Sequence, residues 1–215
     1  MGWIEQNMSK VREKTTELSP AKRHQILVGA RQVFIELGFE RTSVSLIAER
    51  AGVSKATLYN HFADKVTLFT ACLDEECEEA RAALAGILEA PSGDLEGDLF
   101  AIGERILRLL ISPTTMALHR VIVAEAHRFP EVGQHLYEMI TRYTGQILGA
   151  FMKMWSDRGA LRVEDPVLAA NQFVDLCRGD PFRRVELGVA KQIPDEEVRA
   201  TVTSALRTFL RAYRA

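Results

Sequence analysis

A chain of 215 residues with 47% hydrophobic content can bury one full core, or a small domain joined to a larger one. Its formal net charge of −2 excludes a uniformly basic nucleic-acid binder, and its three cysteines exclude a disulfide-stapled scaffold. No apolar run nears the roughly 20 residues that span a bilayer. Residues 1–18 lack the basic-then-apolar pattern of a secretion signal. The expectation is a cytoplasmic protein with no membrane partner, and with Cys72, Cys77 and Cys177 as free thiols.

Residues 1–18 are polar throughout and read as a flexible tail. Ser19-Pro20 opens the first helix, with serine as N-cap and proline in the first turn. Ile26, Leu27, Ala30, Val33, Phe34 and Leu37 recur at helical spacing, and Gly38 is the expected stop. Thr42-Ser43 offers a cap for a short helix over 44–51, and Ala51-Gly52 makes a turn in which glycine supplies backbone freedom. Ser54 caps a third short helix over 55–61. Asp64 caps a long fourth helix that runs to about Leu88, before the break at Pro91-Ser92-Gly93. A domain boundary is placed near residue 68, inside this fourth helix, because three short helices cannot bury their apolar faces alone.

Five further helices follow, over about 94–111, 114–128, 131–157, 166–188 and 195–213. The fourth of these is interrupted at Gly179-Asp180-Pro181. Strand alternation and hairpin turn pairs are missing from the pattern, so the fold class is all-α. The expected domains are a helix-turn-helix unit over 19–68 and a second helical domain over 69–215.

The segment Thr42–Lys65 carries the chemistry. Val44, Ile47, Val53 and Leu58 are spaced to share a small core, and Ala48 is small enough for close helix approach. Two short helices about a tight turn are the grammar of a helix-turn-helix, in which the second helix enters the major groove. Its outward face would carry Ser54, Lys55, Thr57, Tyr59, Asn60 and His61. These groups suit phosphates and base edges. Ser43, Ser54 and Asp64 also serve as plain N-caps. From Ala21 to Val66 there are seven basic and four acidic side chains, followed by the acidic run Asp74–Glu79.

The run Arg23–Leu68 resembles the DNA-binding domain of the TetR family, in its AcrR-like form. The marks are the Gly-Phe pair at 38–39, Thr-Ser at 42–43, Ala-Gly-Val-Ser-Lys at 51–55, Thr-Leu-Tyr-Asn-His-Phe at 57–62 and the Asp-Lys pair at 64–65. The resemblance implies DNA contacts by Thr42 and Ser43, then by Ser54, Lys55, Thr57 and Tyr59 of the recognition helix. It implies backbone contacts by His61 and Lys65, with Arg41 as a further phosphate contact. Residues 114–188 also resemble C-terminal domains of an AefR-like subgroup related to pump and stress regulators.

That resemblance further implies a homodimer, built from the helices over 166–188 and 195–213, on a palindromic operator. It implies an apolar or aromatic effector in the second domain. Pocket candidates are Phe100, Leu107, Met116, His119, Val123, His127, Tyr143, Ile147, Phe151 and Phe173. The same faces would serve equally as ordinary core. His119, His127 and His135 lie eight apart, which is not a metal-ligand spacing. The sequence holds no nucleophile elbow or glycine-rich phosphate loop, so neither cofactor nor catalysis is expected. A DNA-binding regulator without an inducer, and an enzyme carrying a helix-turn-helix, are the other readings.

Overall fold

Local sequence signals account for most of the helix boundaries. In the computed structural model, which describes residues 19–215 apart from the side chains at 77, 79–81, 83, 85, 89 and 143–145, the chain divides into two units between Cys72 and Leu73. Among the described residues there is no β-sheet, only an isolated bridge between Leu161 and Arg214. No single helix there is long and apolar enough to cross a bilayer.

The first unit holds α1 (Pro20–Arg41), α2 (Val44–Arg50), α3 (Lys55–His61) and the start of α4 (Lys65–Glu89). Ser19, Ser43 and Ser54 cap α1, α2 and α3 by accepting the backbone N–H groups of Lys22, Leu46 and Thr57. Asp64 accepts the Thr67 N–H at 2.7 Å at the start of α4. These side chains satisfy donors that a helix start leaves open.

Gly38 interrupts α1 with the positive φ expected of a helix-stopping glycine. It adopts φ 78°, ψ 172° and kinks the helix, which resumes for one turn to Arg41. Below the kink Phe34, Phe39 and Phe69 form an aromatic cluster with centroids 4.8–5.8 Å apart. Ile26, Leu27, Val33, Ile47, Leu58 and Leu68 complete the buried core. Phe69 and Cys72 are buried as well, the Cys72 thiol facing the Leu27 carbonyl, and this carries the first unit four residues past the boundary placed at 68.

The second unit contains the rest of α4, then α5 (Leu95–Leu110), α6 (Pro113–Glu125), α7 (Pro130–Arg142), α8 (Gly149–Asp157), α9 (Pro166–Glu186) and α10 (Asp195–Tyr213). The single helix expected over 131–157 is interrupted by a π-helical turn, Tyr143–Leu148, that joins α7 to α8. The expected break in α9 is a kink at Gly179 (φ 48°, ψ −152°), where an added Cβ would lie 2.9 Å from Thr201. Pro181, which has no N–H to donate, follows at once.

Two apolar clusters hold this unit together. The larger joins Leu99 and Ile102 of α5, Phe151 and Trp155 of α8, Phe173 of α9 and Phe209 of α10. The smaller joins Leu107, Met116, Phe182, Val185, Val198 and Val202. At Gly103 a Cβ would sit 2.9 Å from both Cys177 and Val202, so glycine permits the close approach of α5 to α9 and α10. Burial pushes the Cys177 thiol up to about 12, which keeps it protonated and unreactive.

Candidate nucleic-acid interface and effector core

The first unit presents α3 on a rigid frame. Ala51 packs against Gly29 of α1, where any Cβ would meet Ala51 atoms at 2.9 Å. Gln25 donates to the Ala51 carbonyl at 2.6 Å, and Gly52 turns the chain with φ 63°. Arg50 pairs in bidentate fashion with Glu36 at 2.8 and 3.0 Å and so ties α2 to α1. Hydrogen bonds from Arg50 hold the Glu36 carboxyl below its usual range. The pair is solvent-exposed, so its main role is orientation rather than stability.

On this frame Ser54, Lys55, Tyr59 and Asn60 point outward from α3, while Leu58 is buried beneath them. Tyr59 is 53% exposed, unusually open for a large aromatic side chain. Thr57 and His61 are half-buried. Thr57 is linked to the Ser54 hydroxyl at 2.8 Å, and the His61 ring lies 6.2 Å from that of Phe62. Ser43 stands exposed at the start of α2, and Arg41 is exposed at the end of α1, its Nε donating to the Leu37 carbonyl at 2.9 Å. The exposed face of α3 therefore combines one cation, Lys55, one aromatic ring, Tyr59, and small polar groups.

Two residues expected at this surface turn inward. Thr42 is 3% exposed, and its hydroxyl donates to the Gly38 carbonyl at 2.6 Å. The kink at Gly38 creates that acceptor by interrupting the α1 ladder. Lys65 donates to the carbonyls of Phe39, Glu40 and Thr42 at 2.8, 3.1 and 3.2 Å. Its ammonium also lies 4.5 Å from the centre of the Phe39 ring. An ammonium has three hydrogens, and the α1 C-terminus engages all of them. In this structure the Lys65 ammonium caps the C-terminal end of α1.

The pocket candidates of the second unit separate into distinct groups. Phe151 and Phe173 lie in the larger cluster, and Leu107 and Met116 in the smaller. Phe100 packs against both and carries the Arg199 guanidinium over its ring at 5.1 Å. Ile147 is half-buried at the π-helical turn. His119 pairs with Glu186 at 2.9 Å and stacks edge-on to Phe182, which links α6 to α9. Val123, 58% exposed, and His127, also exposed, lie outside the interior. Val123 faces solvent from α6 and His127 lies exposed in the turn that follows it, so neither lines the core. The Tyr143 side chain lies outside the described residues.

Trp155, which sequence reasoning did not single out, is buried with its indole N–H lacking a hydrogen-bond partner among the described residues. The only hint available in the sequence is the scarcity of tryptophan, with two in the chain.

A buried three-helix frame that holds a short, polar-faced helix outward defines a helix-turn-helix DNA-binding protein. Comparisons with known proteins specify its kind. Residues 26–72 match the profile of the tetR family of bacterial regulatory proteins, and residues 97–215 match the C-terminal domain of AefR-like transcriptional repressors. The chain belongs to the TetR family of transcriptional regulators.

It is 29% identical over 167 residues to the helix-turn-helix-type regulator YvkB of Bacillus subtilis, covering 76% of this chain and 82% of that protein. A solved structure of a TetR-family regulator from Mesorhizobium loti superposes with a TM-score of 0.81 at 26% identity, covering 91% of this chain and 98% of the other. A second, the flavonoid-responsive regulator FrrA, superposes with a TM-score of 0.76 at 31% identity and the same coverage.

Proposed function

We propose that this regulator is a homodimeric repressor, released from a palindromic operator when an apolar aromatic compound binds its second unit. The observation that carries the DNA-binding half is the exposed Lys55–Tyr59–Asn60 face of α3, framed by Ser43 and Ser54. Lys55 supplies a charge to phosphate or to guanine, and Tyr59 a hydroxyl and a flat apolar ring to the backbone and to thymine methyl groups. Arg41, Thr57 and His61 are supporting contacts. A dimer would set two such helices about 34–36 Å apart, one turn of the double helix.

Support for the dimer comes from α9 and α10. Val198, Val202, Leu206 and Phe209 are buried within the chain, whereas Leu168 of α9 is 50% exposed and Leu176 is also open. Such apolar groups on a helix whose opposite face is already packed suit a second copy of the chain. Support for an aromatic effector comes from the match to FrrA and from the Phe151, Trp155 and Phe173 interior. The effector acts by binding the released state better than the DNA-bound one.

Fluorescence anisotropy on the chain's own upstream intergenic DNA tests the DNA-binding half. Lys55→Ala and Tyr59→Ala are each expected to weaken binding at least tenfold while leaving the unfolding midpoint unchanged. Lys55→Ala should also reduce the dependence of log K on log salt by about one. Wild-type affinity no greater for that DNA than for random duplex, or variants that bind like wild type, would count against this assignment.

A further inference from the structure

We propose that the indole N–H of Trp155 is the hydrogen-bond donor that selects the effector, and that the effector is a neutral aromatic compound carrying a carbonyl oxygen. This rests on the ligand-released reading above and identifies the polar contact of that site.

Trp155 is 6% exposed, and its Nε1 has no partner among the described residues. A buried donor without an acceptor costs on the order of 1–3 kcal/mol, and native structures keep few of them. A bound ligand carrying an acceptor would satisfy such a donor. The surroundings of the ring are apolar: Phe151 meets it edge-on at 6.3 Å, and Leu148, Met152 and Phe173 belong to the same cluster. The exposed Arg158 lays its guanidinium over the ring at 5.2 Å. One donor in an aromatic and aliphatic surround is the composition of a small-molecule site, where apolar contact supplies affinity and a single polar group fixes orientation.

A second observation is independent of the first. Phe151 and Trp155 share one face of α8, continued by Leu148, the last residue of the π-helical turn Tyr143–Leu148 that leads into it. A π turn is a costly irregularity that recurs at functional sites. Here it sets the rotation of α8, and so the direction in which Trp155 presents its edge. A carbonyl oxygen matches this donor because it accepts without bringing a proton of its own. The apolar surround then favours a neutral ligand over an ion.

The test compares flavanone with flavan, which has the same rings and lacks the carbonyl. Calorimetry on the full-length protein is expected to give about tenfold tighter binding of flavanone, and Trp155→Phe should abolish that preference while flavan affinity changes little. On the wild-type protein, the Trp155 indole ¹H–¹⁵N resonance should shift downfield with flavanone and not with flavan. That readout also serves if Trp155→Phe fails to fold.

If flavanone binds and releases DNA but the preference survives in Trp155→Phe, or the indole resonance stays in place, the donor assignment is wrong and the ligand-released reading stands. If neither compound binds, both are overturned.

Discussion

Two residues inside the motif, Thr42 and Lys65, have the side-chain chemistry of DNA contacts and are engaged by the end of α1. Lys65 is cationic and sits just after the recognition helix, yet its ammonium closes the C-terminal end of α1 through three carbonyls. Each bond from a charged donor is worth more than a neutral one, and the loss of all three leaves carbonyl oxygens without that partner. Lys65→Met keeps the aliphatic stem and removes the charge. It is expected to destabilise the head by about 1.5–3 kcal/mol in urea unfolding. The fall in stability should exceed that of Lys55→Ala, which touches only solvent. A stability equal to wild type would restore Lys65 to the list of phosphate contacts. The sequence could not separate these two lysines, since both are single cations at helix starts.

At the scale of elements, the head depends on caps and on close approach. Asp64 accepts the Thr67 N–H at the start of α4, and this bond is the largest cause of a carboxyl pKa below the usual carboxylate range. A depressed folded-state pKa gives stability that is present above the unfolded value and is lost as pH falls through the folded one. Asp64→Ala is therefore expected to cost about 1 kcal/mol near neutrality. The gap from wild type should close as the pH drops below the usual carboxylate range. Melting curves across that range check both the size and the sign.

The turn between α2 and α3 is governed by contact rather than by capping. Gly29→Ala puts a methyl 2.9 Å from Ala51, with backbone atoms among its neighbours. Overpacking there is expected to cost about 1–3 kcal/mol. It should also weaken operator binding, because the displaced segment leads into α3. An unchanged melting temperature together with unchanged operator affinity would show that α1 and α2 can move apart freely.

For the whole molecule, the open question is what covers the apolar side chains of α9. Leu168 and Leu176 are the exposed members, and a second copy of the chain is their proposed cover. Leu168→Glu combined with Leu176→Glu would place charge in that contact and is expected to give monomers in sedimentation velocity. The recognition helices would then bind half-sites one at a time, and operator affinity would fall by well over tenfold as avidity is lost. A double variant that still sediments as a dimer would move the interface elsewhere.

Local spacing accounts for the order of the helices apart from the π-helical turn at Tyr143–Leu148, for the caps at Ser19, Ser43, Ser54 and Asp64, and for the register that places Leu58 inward and Tyr59 outward. These depend on residues within a few positions of each other, where spacing and side-chain chemistry suffice. Even the interruption at Gly179 was legible, because glycine and proline act through the local backbone. Only the tertiary structure decided that Thr42 and Lys65 face the kinked end of α1. Packing likewise turns Val123 and His127 to solvent and leaves the Trp155 N–H without an acceptor among the described residues. Those outcomes rest on partners far apart in the chain, such as Phe39 and Lys65, 26 residues distant. A periodic pattern identifies which residues share a face, and packing decides what that face meets.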